Sequence, residues 1–489
     1  MPDNGFRRLS DVDNGKPVLF HPSNSSAADG GIPMPPHPVP VQTDTAAGSP
    51  APRSLTRSIG VGGGTLLTLS CVTPASSLFV LVPPLFGSLG TGTALAIGLA
   101  VLLCVGIAFC YSELGTLVPS SGGEYAMVST VVSRFAGWIT FMLSFIVILV
   151  VPPIIAIGVA DYLSVIVHVD PSVAGALVML ASTGMGLVNL RSNAWLTGIF
   201  LVIEIVAIVV VSVLGFAHTD RPAAVLVRPS MDGVHPIALV SVIAGLAVAL
   251  FVVQGFSTAV YLAEEMREPH RTVSRTVFWT LGVSAVVILV PVIAITLGVP
   301  DLATLQDLDL TALVVSWSSS TFGTIISLCI AAAIVNAVIV MVIQNSRVLY
   351  ASGRDRAWPE PVNRALSVVS PRFGAPWVAT LVVGVSEAVL CFVPVETLSG
   401  VTGVAVVALY LAISVSVLWA RRPAHRRPQV WRMPGWPVVP VVAVLALGYV
   451  LVSQSLLDLA ITAGVLVVSA AYWWGYLRRR SDRWLVTIP

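Results

Sequence analysis

The chain has 489 residues, of which 56% are hydrophobic and 10% are charged, with a net charge of +2 and a mean hydropathy of +0.91. This composition places most of the chain in lipid, and so small a net charge gives no reason to expect a nucleic-acid partner. The cysteines all fall within apolar segments, which indicates neither a disulfide framework nor a metal site.

The N-terminal stretch, residues 1–57, is rich in Pro, Ser, Asp and Gly and has too few apolar residues to form a core. We predict a disordered tail on the cytoplasmic side. It lacks the apolar stretch of a signal peptide. Met34 offers an alternative translation start, which the sequence does not settle.

Twelve apolar segments follow, each of roughly 17–28 residues and therefore long enough to span a bilayer as a helix. They predict an all-α polytopic membrane protein with twelve transmembrane helices. The predicted limits are 58–83, 92–112, 136–163, 172–190, 193–217, 236–262, 273–299, 321–350, 375–394, 397–420, 436–453 and 456–477.

The distribution of positive charge tests this count. With both termini in the cytoplasm, every Lys and Arg except Arg221 and Arg228 falls in a predicted cytoplasmic segment. Positive residues concentrate on the cytoplasmic side of membrane proteins. One helix too many or too few in the middle of the chain would scramble the pattern.

The first apolar segment is interrupted by the polar stretch around Thr73 and Pro74. Because Pro74 has no N–H and Thr73 suits an N-cap, we predict one half-helix ending near Ser70 and a second starting at Pro74. The free N–H groups and the positive dipole end of the second half-helix would form a carboxylate site. The donors would be Ala75, Ser76 and Ser77. The alternative is a simple proline kink.

The sixth segment is interrupted in the same way, by Gln254-Gly255-Phe256-Ser257-Thr258. Two broken helices five segments apart are typical of a transporter built from two inverted repeats, with its binding site between the breaks.

Between the second and third segments, Pro119 to Tyr125 leads into residues 126–134. This pattern predicts an amphipathic helix on the cytoplasmic face, capped near Ser120 or Ser121. It is either a connector or part of an inner gate.

Several short motifs, taken in order, resemble the amino acid–polyamine–organocation (APC) superfamily of permeases, of the amino acid permease type. The motifs are Tyr111-Ser112-Glu113-Leu114 with Ser121-Gly122-Gly123-Glu124-Tyr125-Ala126, Phe251 to Phe256 with Glu264-Glu265 and Pro269, and Ser346-Arg347-Val348-Leu349-Tyr350 with Gly353-Arg354-Asp355, Trp358-Pro359 and Gly374-Ala375-Pro376. The resemblance implies the LeuT-like five-plus-five inverted repeat with helices 1 and 6 broken. Residues 58–420 would form the ten-helix core, residues 421–477 would hold helices 11 and 12, and 478–489 would be a cytoplasmic tail.

The resemblance also implies where a substrate binds. Its carboxylate would meet the N–H groups after Thr73, and its ammonium would meet carbonyls of Leu69, Ser70 and the stretch from Phe251 through Val252. Gly255 and Ser257 would complete the site. Phe251 is either an aromatic gate over the substrate or a core side chain. Cofactors and metal ions are not expected.

The absence of an acid bears on the substrate. Relatives that carry diamines or cationic amino acids often have an acid two residues after the glycine of helix 6, where this chain has Ser257. An extra substrate cation in a low dielectric would need a carboxylate partner. We therefore expect a neutral amino acid rather than a polyamine.

Two carboxylic acids lie deep in apolar segments, Glu204 in the fifth and Glu387 in the ninth. Desolvation at mid-membrane favours the neutral form, so Glu204 is a candidate to couple transport to protons, where proton-coupled relatives often have a Lys. The alternative is a permanently neutral structural Glu204. We interpret Glu387 as structural, because its helix usually lies at the periphery of the fold.

The function expected from these features is a secondary active transporter that moves an amino acid across the plasma membrane by alternating access, with a proton as the coupling ion. One alternative is an importer or exchanger of polyamines or other organic amines. Another is a membrane enzyme or a non-transporting scaffold. The sequence shows no cluster of catalytic residues deep in the membrane that would support an enzyme.

Overall fold

The computed structural model describes residues 59–120, 122–187, 193–219, 221–370, 375–422, 431–480 and 483–484. The predicted tail 1–57 and Met34 lie outside the described residues. The α-helices are, in chain order, α1 (Val61–Val72), α2 (Pro74–Ser76), α3 (Val82–Leu89), α4 (Gly92–Leu117), α5 (Gly123–Val131), α6 (Arg134–Ile157), α7 (Val159–Leu163), α8 (Pro171–Gly186), α9 (Asn193–Ala217), α10 (Leu239–Ala244), α11 (Leu246–Val253), α12 (Pro269–Gly298), α13 (Leu310–Trp317), α14 (Ser320–Arg354), α15 (Glu360–Leu366), α16 (Trp377–Leu390), α17 (Val395–Ala420), α18 (Val438–Val452) and α19 (Leu456–Tyr472).

By length and composition, eight helical spans in the described chain can cross a membrane, or nine when the bent pair of the sixth segment counts as one span. Helices α8, α16 and α18, in the predicted fourth, ninth and eleventh segments, are apolar but shorter. The protein is therefore an all-helical, multi-pass membrane protein. The expected all-α class is confirmed, whereas twelve full spans remain a prediction.

The first apolar segment is broken at Thr73, which adopts a left-handed conformation (φ 46°, ψ 69°) between α1 and α2. The first half-helix reaches Val72, two residues further than predicted near Ser70. Pro74 begins the second, as predicted. The side chain of Thr73 makes no capping hydrogen bond, and its backbone bridges the break instead. Its N–H donates to Leu69 O (3.1 Å), and its carbonyl accepts from Ser77 N (3.0 Å).

The sixth apolar segment is also broken, as predicted. Helix α11 ends at Val253, and Gly255 takes a φ of 116° that favours glycine. A 3₁₀ stretch, Phe256–Leu262, continues the segment at an angle of 41° to the part before the break.

Helix packing buries most of the apolar surface of the central segments. Helix α12 packs on α1, α4 and α9, while α17 packs on α4, α6 and α11. Helices α8, α14 and α16 pack on one another, and α6 contacts all three. The largest fully buried side chains include Trp138, Tyr111, Tyr410 and Phe256.

The predicted connector between the second and third segments is α5, and it is buried rather than amphipathic at a surface. Seven of its nine residues are buried. Trp484, in the predicted C-terminal tail, is also buried, with its ring centroid 5.2 Å from that of Tyr125 and 5.1 Å from that of Trp138. Tertiary contacts with α6 therefore enclose α5 and the side chain of Trp484, which local sequence patterns do not reveal.

A buried ion pair fixes the end of α17 to α4. Arg421 Nε and Nη2 donate to the two carboxylate oxygens of Glu113, each at 2.6 Å, and Glu113 is fully buried. The backbone N–H of Met433 also donates to Glu113 at 3.0 Å. The guanidinium of Arg421 lies 4.2 Å from the ring centroid of Trp436. The pair therefore anchors the chain that leads into α18.

We predict that Arg421→Met lowers the free energy of unfolding by about 3–5 kcal/mol, because it leaves the Glu113 carboxylate buried and unpaired. Thermal and denaturant unfolding of the purified protein in detergent measure the loss. Arg364→Met is the matched control, because Arg364 and Glu360 form an exposed pair at 3.4 Å that contributes at most about 1 kcal/mol. Equal losses in the two variants would contradict the prediction.

Candidate functional site

The breaks in the first and sixth segments are in direct contact. A Cβ placed on Gly255 would lie 2.7 Å from Val72 Cγ2 and 3.1 Å from Val72 Cα. At such distances a Cβ at position 255 would overlap Val72 unless Val72 moved, so glycine fits without a shift. Glycine at position 255 therefore serves both the left-handed backbone and the approach of the two interrupted helices.

A cavity of about 90 Å³ lies beside the two breaks, between α6 and α14. Its apolar wall includes Val147, Ile155, Phe251 and Met341. Its polar lining consists of hydroxyl and amide side chains: Thr73, Ser77, Gln254, Thr258, Gln344 and Asn345. Among the described residues that line it, none is Asp, Glu, Lys, Arg or His. Any charge of a ligand would therefore be met by backbone and neutral dipoles.

Four of the residues predicted for the substrate site line this cavity: Thr73, Ser77, Phe251 and Gly255. The others lie near the breaks but outside the lining: Leu69, Ser70, Ala75, Ser76, Val252 and Ser257. Ala75, Ser76 and Val252 are fully buried. The structure thus brings part of the predicted set to one cavity and places the rest in the surrounding packing.

The N–H groups predicted for a carboxylate are not all free. Ala75 N donates to Glu204 Oε2 at 3.4 Å, and Ser77 N donates to the carbonyl of Thr73. The hydroxyls of Thr73 and Ser76, by contrast, are buried without a hydrogen-bond partner in the described chain. The second half-helix therefore begins with one N–H held by a protein carboxyl and two hydroxyls available for other partners.

Glu204 is the carboxyl that occupies this helix N-terminus. It projects from α9, is 2% exposed and does not line the cavity. Negative charge is stabilised at the first turn of a helix, where N–H groups and the macrodipole point outward. The two features predicted separately from sequence, the N–H donors after Pro74 and the acid in the fifth segment, are therefore one contact.

Sequence reasoning missed the contributions of α6 and α14 to the cavity. Gln344 and Asn345 of α14 line it, as does the stretch of α6 around Ile148 and Pro152. Two adjacent amide side chains in an apolar segment were a usable signal, because buried amides need hydrogen-bond partners. The Pro152–Pro153 pair was another, since it removes two N–H groups from α6.

A second polar cluster surrounds Glu124, which is buried on α5. Tyr111 of α4 donates to Glu124 Oε1 at 2.9 Å, and Ser144 of α6 donates to Oε2 at 3.1 Å. The hydroxyl of Tyr261, from the 3₁₀ stretch of the sixth segment, also donates to this carboxyl. Burial raises the pKa of Glu124, while the hydroxyl donors lower it. Ser257, also among the hydroxyls that lower this pKa, is buried and lies outside the cavity lining.

Interrupted helices that meet beside a small cavity inside an all-helical membrane protein define the class of multi-pass transporters with discontinuous helices. The sequence profile of the amino acid permease family matches residues 61–474. The chain belongs to this family, part of the APC superfamily, as the motifs predicted. Its members are transporters rather than enzymes.

Several characterised proteins are similar to the chain. It is 23% identical to the branched-chain amino acid permease BcaP of Bacillus subtilis over 434 residues, 82% of this chain and 89% of the relative. It is 22% identical to the methylthioribose transporter of the same organism over 428 residues, again 82% and 89%. A third relative is cationic amino acid transporter 2, vacuolar, of Arabidopsis thaliana, 24% identical over 339 residues, which make up 64% of this chain and 52% of the relative.

Gly255→Ala should destabilise the protein, because it adds a Cβ against Val72 and places an L side chain at a φ of 116°. We expect a loss of about 1–3 kcal/mol, measured by thermal unfolding in detergent. Gly282→Ala is the control, because a Cβ there meets nothing within 4 Å. Val72→Ala in the Gly255→Ala background should recover part of the loss. No difference between the two single variants would refute the role of this contact.

Proposed function

We propose that the protein is a secondary active transporter that moves a neutral amino acid by alternating access, coupled to protons through Glu204. The observation that carries this proposal is the contact between the two broken helices beside a cavity whose described lining has no charged side chain. We further propose that it lies in the cell membrane with both termini cytoplasmic, which the distribution of Lys and Arg supports.

We propose the twelve-helix, five-plus-five inverted repeat as the architecture, with residues 58–420 as its core. Helix packing supports it. The first segment packs on the seventh, and the sixth packs on the second. The third packs on the fourth and the eighth on the ninth, while the fifth packs on the seventh and the tenth on the second. When each segment is replaced by its counterpart in the other half (first with sixth, second with seventh, and so on to fifth with tenth), each packed pair gives another packed pair, as two related halves require.

A neutral, zwitterionic substrate fits the polarity of the cavity. The start of α2 supplies positive partial charge, and the hydroxyl of Thr73, which lines the cavity, is an unpartnered donor for a carboxylate. The apolar wall of Val147, Ile155 and Met341 suits an aliphatic side chain. The branched-chain substrate in the name of BcaP agrees with such a wall. A second positive group on the substrate would find no carboxylate among the described lining residues.

Glu204 links the proton to the substrate by competition for one helix end. An ionised Glu204 occupies the N–H of Ala75 and repels a second carboxylate nearby. A proton on Glu204 removes that charge, so a substrate carboxylate can approach the positive end of α2. Proton and substrate therefore favour each other's binding, as a symporter requires.

The substrate class is tested by uptake into proteoliposomes. We expect leucine, isoleucine and valine to be taken up in preference to arginine and putrescine, because the cavity offers no side-chain partner for a second cation. Methyl esters of the same amino acids should not compete, since they lack the carboxylate. Preferential uptake of putrescine or arginine would support the organic-amine alternative. If no amino acid or amine in a panel raises the unfolding temperature of the protein, the result would support a non-transporting protein.

Coupling through Glu204 is tested by Glu204→Gln in the same proteoliposomes. We expect counterflow exchange to survive, because the cavity itself is unchanged, and accumulation driven by a pH gradient to disappear. Glu396→Gln, which alters an exposed acid at the start of α17, is the matched control. Unchanged, pH-dependent accumulation in the Glu204→Gln protein would show that the proton takes another route.

A further inference from the structure

The wall of the cavity contributed by α6 has a carbonyl that its own helix cannot satisfy. Ile148 O would normally accept from the N–H four residues later, but that residue is Pro152, inside α6. Inside a membrane protein such a group must find another donor. Asn345 of α14 provides it, with Nδ2 lying 2.8 Å from Ile148 O.

The same amide nitrogen also donates to Glu387. Asn345 Nδ2 lies 2.9 Å from Glu387 Oε1 on α16, so both of its N–H groups have acceptors. Because a backbone carbonyl and a carboxyl both select the nitrogen, the orientation of the amide is fixed. The polar group of Asn345 that remains is its carbonyl oxygen, and Asn345 lines the cavity.

Glu387 is fully buried on the inner side of α16, one residue away from the cavity. It is 0% exposed, and its second oxygen, Oε2, has no partner in the described chain. A carboxyl in the interior with one amide as its partner contributes little to the stability of the fold, because its desolvation costs free energy. Its contact with Asn345 gives it a role in the site, because without it one N–H of the amide is unsatisfied and Ile148 O alone holds the amide.

We propose that Asn345 is a specificity-determining residue whose amide oxygen accepts a hydrogen bond from the amine of the substrate, and that Glu387 is a positioning residue that holds this oxygen toward the cavity. This inference rests on the proposed transport function. It adds a recognition element from α14 and α16 to a site otherwise made of the two broken helices. The ligand chemistry is a primary ammonium, for which an uncharged amide oxygen is an acceptor.

The test compares leucine with its 2-hydroxy analogue, which keeps the carboxylate and side chain but replaces the ammonium by a hydroxyl. The analogue competes with radiolabelled leucine for uptake by proteoliposomes, and the ratio of the two affinities measures recognition of the amine. In the unmodified protein we expect leucine to be favoured. In Asn345→Leu we expect the preference to fall about tenfold, as the loss of a hydrogen bond to a charged group predicts.

Two variants of Glu387 separate positioning from packing. Glu387→Gln keeps an oxygen that can accept from Asn345, so the preference for leucine should remain. Glu387→Met has similar size but no acceptor, so the preference should fall as in Asn345→Leu. A structural role alone would lower the unfolding temperature of these variants without changing the ratio. Asn336→Leu, the same replacement in the same helix outside the cavity lining, is the control.

The outcomes distinguish this inference from the proposed function. Suppose that the unmodified protein takes up leucine and that Asn345→Leu leaves the ratio of the affinities for leucine and its 2-hydroxy analogue unchanged. This result overturns the role of Asn345 and leaves amino acid transport intact. An unchanged ratio in Glu387→Met alone overturns positioning by Glu387. If the unmodified protein takes up putrescine and no amino acid, the proposed function fails. In that case a lower affinity for putrescine in Asn345→Leu supports recognition of the amine by Asn345, and an unchanged affinity overturns it. Uptake of neither compound overturns both proposals.

Discussion

The constraint on which this structure depends is that a backbone polar group inside a bilayer must find its partner within the protein. Backbone hydrogen bonding is interrupted at Thr73 and at Gly255, where two helices break, and at Pro152, inside the continuous helix α6. Each interruption frees N–H or C=O groups from the hydrogen bonds of a regular helix. The way in which other helices satisfy them decides where the cavity lies and what lines it.

The partners of these freed backbone groups come from distant parts of the chain. They are acid and amide side chains that lie within apolar segments. Glu204 accepts from the N–H of Ala75, and Asn345 donates to the carbonyl of Ile148. Both would be costly if they faced lipid. Their positions are explained by the interrupted helices, because each supplies the hydrogen bond that an unbroken helix would have supplied to itself.

Four buried glutamates in the described chain fall into two kinds by their hydrogen-bond partners. Glu113 is held by the bidentate guanidinium of Arg421, and the pair joins α4 to the end of α17. Glu124, Glu204 and Glu387 instead have hydroxyl, backbone or amide donors as their hydrogen-bond partners. Glu204 and Glu387 make their contacts beside the broken helices and the cavity, with no cationic side chain among their hydrogen-bond partners.

The sequence by itself determined the class, the order of the helices and the two breaks. Hydropathy, Pro74 and the Gly255 region act locally, over the few residues that one helical turn connects. Only the tertiary structure decided which groups meet at those breaks. Ala75 and Glu204 are 129 residues apart, and Asn345 and Ile148 are 197 apart. It also showed that α5 and Trp484 are buried. Such contacts depend on how helices pack against one another, and hydrophobic periodicity records only that a face is apolar, not which helix will cover it.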